Sequence, residues 1–229
     1  MHIIPLGVDT RLFRPHPGQL RVSGRIVTVT SADSPLKGLP TLLRAVAKLV
    51  TERGVHLVVI GTPSAVTREQ VAQLALGDRV TFASGLPDAE YARVLASAEV
   101  AVIPSMYEGF SLPAVEHMAS GTPLIASRAG ALPEVTGDAA VLVPPGDPEE
   151  LAAALRGLLG DEAARAERAE RGLARVRERF AWPAVAAATE ALYRKVINGS
   201  PVADGRFPGI SYADACCSAV VRSWRAIWV

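Results

Sequence analysis

With 229 residues, the chain is long enough for one ordinary domain, or for one domain with an appendage. Hydrophobic residues make up 49% of it, so a substantial core can be buried, and a net charge of +1 with interspersed acids and bases gives no nucleic-acid footprint, which needs a basic face. No apolar run approaches the roughly 20 residues of a membrane span, so membrane association is not indicated, and the opening Met1-His-Ile-Ile-Pro-Leu-Gly7 lacks the basic-then-apolar order of a signal peptide.

Short runs rich in Val and Ile, closed by Gly, Pro or Ser, predict strands at 25–31, 56–61, 79–84, 100–104, 123–127 and 140–143. Their near-continuous apolarity suits strands buried on both faces of a parallel sheet. Helical patterns lie between them. Leu39, Leu42, Leu43, Val46, Leu49 and Val50 follow one helical face, and Gly54 ends that helix. Residues 89–98, 113–119 and 149–159 read similarly, the last opening after Asp147-Pro148. From 161 to 179, Arg, Glu and Ala predict a solvated helix laced with i,i+4 pairs. Residues 182–197 form one more amphipathic helix, with Trp182, Val185, Leu192 and Val196 expected to pack. The fold class is α/β: a single Rossmann-like, doubly wound parallel sheet with C-terminal helices. Ligands of such sheets lie beyond the carboxyl ends of the strands, where Lys37, Glu108 and Arg128 fall.

The domain is expected to occupy residues 1–198. Residues 199–229 read as an atypical tail that holds both cysteines and two of the three tryptophans without a clear period. An idle extension and a tail packed on the domain both remain open for it. Cys216 and Cys217 are adjacent, and no spaced Cys/His set exists for zinc, which fits a reducing, cytoplasmic setting.

The segment Tyr107-Glu-Gly-Phe-Ser-Leu-Pro-Ala-Val-Glu116 carries most of the chemistry. It follows the apolar run Val100-Ala-Val-Ile-Pro-Ser105 and enters a short helix that ends at Gly121. Amides at a helix start attract phosphate, and the carboxylates Glu108 and Glu116 accept hydrogen bonds from sugar hydroxyls. Together they point to a nucleotide sugar. Lys37 precedes a helix, where a cation sits badly against the dipole unless an anion binds beside it. Pro113 loses no needed N–H in the first turn, and Ser111 is a plausible N-cap. His2, His16, His56 and His117 are scattered, and His117 reads as packing or facing solvent. Glu134 reads as a local cap or pair, and Arg68 and Arg128 as loop cations. No Gly-x-Gly-x-x-Gly follows the first strand and no P-loop is present, which argues against a dinucleotide oxidoreductase or a P-loop NTPase.

The ordered motifs Ile4-Pro-Leu-Gly-Val-Asp9, Phe13-Arg-Pro15, Leu36-Lys-Gly38, Val80-Thr-Phe-Ala-Ser-Gly85, Ser105–Glu116 and Leu132-Pro-Glu-Val135 resemble the C-terminal half of family 4 (group 1) glycosyltransferases. Those enzymes have the GT-B architecture, two Rossmann-like domains facing across a cleft. The resemblance covers Ile4 to about Ile197. It implies a donor-binding domain of a retaining glycosyltransferase acting on a nucleoside diphosphate sugar, with no cofactor and no metal. It assigns the sugar hydroxyls to Glu108, the ribose hydroxyls to Glu116, and the diphosphate to Lys37. Backbone amides of Gly109, Phe110, Ser111 and Leu112 would meet sugar and phosphate oxygens. The turn Gly85-Leu86-Pro87 would lie near the base, and Gly7-Val8-Asp9 looks like the hinge.

Two features depart from that pattern. The family usually has an arginine six residues before the lysine, where this chain has Ser31, so a bidentate clamp is missing; Arg68, Arg128 or a cation from the absent half are the expected substitutes. Ser111 stands where many members have glycine. The resemblance also implies an absent N-terminal acceptor domain, making the chain a fragment, a mis-started frame or one subunit of a split enzyme. A non-catalytic sugar-nucleotide- or partner-binding module and a GT-B-type epimerase fragment are the competing expectations.

Overall fold

The computed structural model describes residues 2–16, 18–30 and 34–199; Ser31, Cys216, Cys217 and the predicted tail beyond Gly199 lie outside the described residues. All six predicted strands form: β1 (Arg25–Val29), β2 (His56–Ile60), β3 (Val80–Ala83), β4 (Val100–Ile103), β5 (Leu124–Ser127) and β6 (Ala140–Val143). Every pairing is parallel, and the spatial order is β3-β2-β1-β4-β5-β6. The order reverses between β1 and β4, which leaves a crevice where the connections leave to opposite sides.

Alternation along the strands divides the core into two layers. Ile26, Leu57, Val59, Val100, Val102 and Ile125 pack against α1 (Leu39–Leu49), α2 (Ala65–Gln73) and α6 (Pro148–Gly160). Val27, Val58, Ala101, Ile103, Leu124 and Ala126 face α3 (Asp88–Ser97), α4 (Leu112–Ala119) and α5 (Leu132–Thr136). Both faces are covered, which is why these strands read as continuous apolar runs. The helical face predicted from Leu39 to Leu49 is the buried face of α1.

Four expectations need correction. The helix α2 was not predicted, because only Thr67 and Val71 of its nine residues are buried and the apolar period is too sparse to read. It places Arg68 on a helix, not in a loop. The 161–179 helix is α7 (Glu162–Arg175) followed by a π turn at Val176–Phe180. Its arginines do more than pair along a solvated face. Arg165 bridges to buried Glu99 at 3.0 Å, Arg168 donates to the Asp138 carbonyl, and Arg175 donates to the Val135 carbonyl at 2.7 Å. The chain thus uses long guanidinium arms to tie α7 to the carbonyls around α5. Finally, in the helix α8 (Trp182–Gly199), Val185 is buried as expected, whereas Trp182 and Val196 are exposed.

The chain divides into two compact units, Met1–Thr189 and Glu190–Val229. The first holds the sheet. The described part of the second is the end of α8, where Arg194 pairs with Glu190 one turn earlier at 2.7 Å. No helix among the described residues is long and apolar enough to cross a membrane.

Candidate functional site

Lys37 and Glu108 are 71 positions apart in sequence and meet at the switch point of the sheet. Lys37 ends a short 3-10 turn (Pro35–Lys37) between β1 and α1, and Glu108 lies in the loop between β4 and α4. Lys37 Nζ donates to Glu108 Oε1 at 2.9 Å, and Ser105 Oγ donates to the same oxygen at 2.7 Å. The pair is sheltered, with 29% of the Lys37 side chain and 11% of the Glu108 side chain exposed. The cation that the sequence places at the start of α1 therefore has a carboxylate beside it, which offsets the unfavourable dipole.

The two loops are locked to each other through backbone. The Met106 amide donates to the Leu36 carbonyl at 2.7 Å. Gly38 adopts a left-handed conformation (φ +66°) so close to the Pro104 carbonyl that a Cβ would fall 1.9 Å from its oxygen. On the other side, the Ala131 amide donates to the Glu108 carbonyl at 2.8 Å. A Cβ on Gly130 (φ +53°) would fall 2.2 Å from that same oxygen. Glycine is required at both positions by sterics and by backbone sign together.

The segment Gly109–Leu112 runs from Glu108 into α4. Ser111 is the residue before the helix, with φ +80°, and it is buried. Its hydroxyl makes no capping bond and no other hydrogen bond among the described residues, so the side-chain cap expected there is not formed. The left-handed backbone explains this: it turns the side chain away from the amides that an extended N-cap residue would meet. The α4 ladder opens with the Val115 amide donating to the Ser111 carbonyl, which leaves the earlier amides ahead of the ladder, as in the first turn of any helix. Gly109 and Phe110 also line a cavity of about 300 Å3 with Ala131, Glu134, Arg179 and Phe180. Arg179, which sits over the Phe180 ring at 5.8 Å, gave no signal in the sequence.

Glu116 lies one turn further along α4. Its Oε2 accepts a hydrogen bond from the Tyr91 hydroxyl of α3 at 2.5 Å. Burial pushes the Glu116 carboxyl above its usual range; the Tyr91 hydrogen bond pulls it down and Asp88 adds to the rise. Gly85 and Leu86 sit in the connection from β3 to α3, at the same carboxyl edge of the sheet. Arg68 and Arg128 have exposed side chains on α2 and after β5, and the backbone of Arg128 donates to the Val143 carbonyl at 2.7 Å. Glu134 is exposed at the start of α5, where its carbonyl accepts from Arg175. Among the described residues there is no cluster of His, Cys, Asp and Glu able to hold a metal ion.

His117 is wholly buried, and neither ring nitrogen has a partner among the described residues. Burial pushes its pKa down to about 3. The folded state therefore stays neutral where the unfolded chain, with an ordinary value near 6.5, takes a proton. Stability is complete above that value and is lost as pH falls, by about 1.4 kcal/mol per pH unit across the intervening window. Urea melts at pH 7, 6 and 5 should show this component in the parent protein and its absence in His117→Leu. Equal pH slopes in the two proteins would refute it.

The doubly wound parallel sheet is the Rossmann-like fold of the GT-B glycosyltransferases. The chain belongs to the group 1 glycosyltransferases: the family model described as "Glycosyl transferases group 1" matches residues 23–161. It is 52% identical over 202 residues to the "MMP alpha-(1->4)-mannosyltransferase" of Mycolicibacterium hassiacum, a match covering 86% of this chain and 49% of that protein. The solved sucrose-phosphate synthase of Thermosynechococcus elongatus superposes with a TM-score of 0.75 at 32% identity, over 87% of this chain and 53% of that one. The Anabaena HepE structure in complex with UDP gives a TM-score of 0.71 at 23% identity, over 84% and 56%, and speaks to the fold. The chain spans about half the length of the curated relatives it matches.

Proposed function

We propose that this chain is the donor-binding half of a retaining glycosyltransferase, which moves a hexose from a nucleoside diphosphate sugar to an acceptor hydroxyl supplied by another domain or subunit. The observation that carries the reading is the meeting of Lys37, Ser105 and Glu108 at the crevice between β1 and β4. Lys37 would exchange its carboxylate partner for the diphosphate on donor arrival. That exchange would free Glu108 Oε1 to accept from the sugar hydroxyls, with Ser105 still steering the side chain. Glu116 would receive the ribose hydroxyls, and Gly85 and Leu86 would lie beside the base.

When the bond from the anomeric carbon to the phosphate oxygen breaks, negative charge collects on the departing diphosphate. An ammonium and first-turn amides held in place beforehand stabilise that charge without reorganising. In this reading Lys37 and the amides of Gly109, Phe110, Ser111 and Leu112 supply that stabilisation, and Glu108 positions the sugar. No metal or cofactor is required for it. Retention of the anomeric configuration rests on the resemblance of the Glu108–Glu116 motif. The name of the Mycolicibacterium relative favours a mannosyl donor.

Calorimetry with UDP-, GDP- and ADP-linked glucose and mannose tests the proposal. One of these donors is expected to bind the chain in preference to its free sugar. Heat-silent titrations with all six, on a protein shown to be folded, would remove the proposal.

A further inference from the structure

Tyr91 lies outside every motif that points to the donor site, yet it holds one of the two carboxylates there. Its hydroxyl donates to Glu116 Oε2 at 2.5 Å. Its ring meets Phe13 edge to face, with centroids 5.8 Å apart and planes at 87°. Phe13 is buried in the same core layer as α3 and α4. The phenol is therefore anchored at both ends, by a ring contact on one side and a carboxylate on the other.

The two carboxylates of the site have partners of different kinds. Glu108 is paired with an ammonium, which neutralises it and which can exchange that carboxylate for another anion. Glu116 is paired with a neutral phenol, which leaves its charge in place. Burial raises the Tyr91 hydroxyl well above its ordinary value, so the phenol stays a donor throughout the neutral range. A carboxylate accepts through two oxygens and donates through neither. With Oε2 held by Tyr91, Oε1 is left to meet whatever donors a ligand presents.

We propose that Tyr91 is a positioning residue for nucleotide recognition: it pins Glu116 Oε2 so that Oε1 faces the ribose and accepts from its 2′ and 3′ hydroxyls. This rests on the reading of Glu116 as the ribose acceptor. A carboxylate that is partly buried and half-satisfied favours a ligand with hydroxyl donors over one without them. Tyr91 thereby contributes to selection of ribonucleotides over deoxynucleotides without touching the nucleotide.

Tyr91→Phe removes the donor and keeps the ring against Phe13. Isothermal titration of UDP, GDP and ADP, each as the ribonucleotide and as the 2′,3′-dideoxynucleotide, reads the effect. The parent protein should prefer the ribonucleotide by at least about tenfold, as expected for a hydrogen bond to a charged group. Tyr91→Phe should lose about tenfold toward the ribonucleotide and stay within about twofold toward the dideoxynucleotide. In a Glu116→Ala background the same substitution should change neither affinity. An equal loss toward both ligands would mark Tyr91 as merely structural and overturn the inference. So would an unchanged ribonucleotide affinity in a parent that discriminates. A parent that binds both forms equally would instead overturn the ribose reading of Glu116, and the inference with it. Melting curves of each variant separate loss of fold from loss of contact.

Discussion

Replacing Glu108 by Ala is expected to weaken binding of a nucleoside diphosphate sugar by about 100-fold while leaving the free nucleoside diphosphate within about threefold, since hydrogen bonds to a charged acceptor contribute roughly 1.5–3 kcal/mol. The asymmetry follows from the geometry. Glu108 meets Lys37 and Ser105 through one oxygen, and both neighbours are donors. Removing the carboxylate deletes the acceptor that the sugar would use. It also frees the ammonium, which can then engage phosphate without first leaving a partner. Lys37→Ala should behave differently and lose affinity for both ligands by a similar factor, because both carry the diphosphate. The two side chains share a contact, so the double variant should fall short of the sum of the single losses. Calorimetric titration of both ligands against all four proteins decides the matter. If Glu108→Ala weakens the nucleoside diphosphate as much as its sugar conjugate, the carboxylate is not reading the sugar.

The second large effect is on stability. Gly38→Ala and Gly130→Ala should each lower the melting temperature by about 6–12 °C, corresponding to roughly 3 kcal/mol of left-handed strain plus displaced backbone. In each case the added carbon meets a carbonyl of the β4–α4 loop, at 1.9 Å from Pro104 and 2.2 Å from Glu108, and backbone cannot swing aside as a flexible side chain can. Gly85 is an internal control. It has the same left-handed sign (φ +66°) with nothing within 4 Å of the added carbon, so Gly85→Ala should pay the conformational term alone, about 1 kcal/mol or 2–4 °C. Scanning calorimetry on the three variants separates crowding from backbone sign. Equal drops in all three would show that the close approach to the loop carries no weight. Donor affinity should fall in the two crowded variants, because the carbonyls they push lie beside Lys37 and Glu108.

Much of the architecture was legible in the chain itself. A strand buried on both faces has no polar side, so the strands announce themselves as nearly continuous apolar runs, most plainly the wholly buried β4. A helix with a full apolar face, such as α1, is equally plain. The helix α2 was hidden because it buries only two of its side chains and so carries no period to read. The arginines of α7 were misjudged for a related reason. A row of charge on a helix looks solvated, and nothing local reveals that carbonyls of another element wait within reach of guanidinium arms. Trp182, expected to pack as part of the apolar face of an amphipathic helix, is half exposed, with its ring lying against Gly7.

The candidate site divides along the same line. The acids at 108 and 116, the lysine at 37 and the glycine-bearing turn between strand and helix were all visible as residue types at fixed spacing, and the expectation of a nucleotide sugar rests on them. Which of them touch was settled by strand order. Placing β1 beside β4, and not in sequence order, brings residues 37 and 108 together and opens the crevice at their ends. The partners of the two carboxylates were decided in the same way. Tyr91 and the two crowded glycines act across loops and helices, whereas Ser105 reaches Glu108 within their own loop. Local periodicity records what a residue does for its own element. A hydrogen bond between distant elements leaves no period, because its geometry exists only after the chain has crossed over and packed.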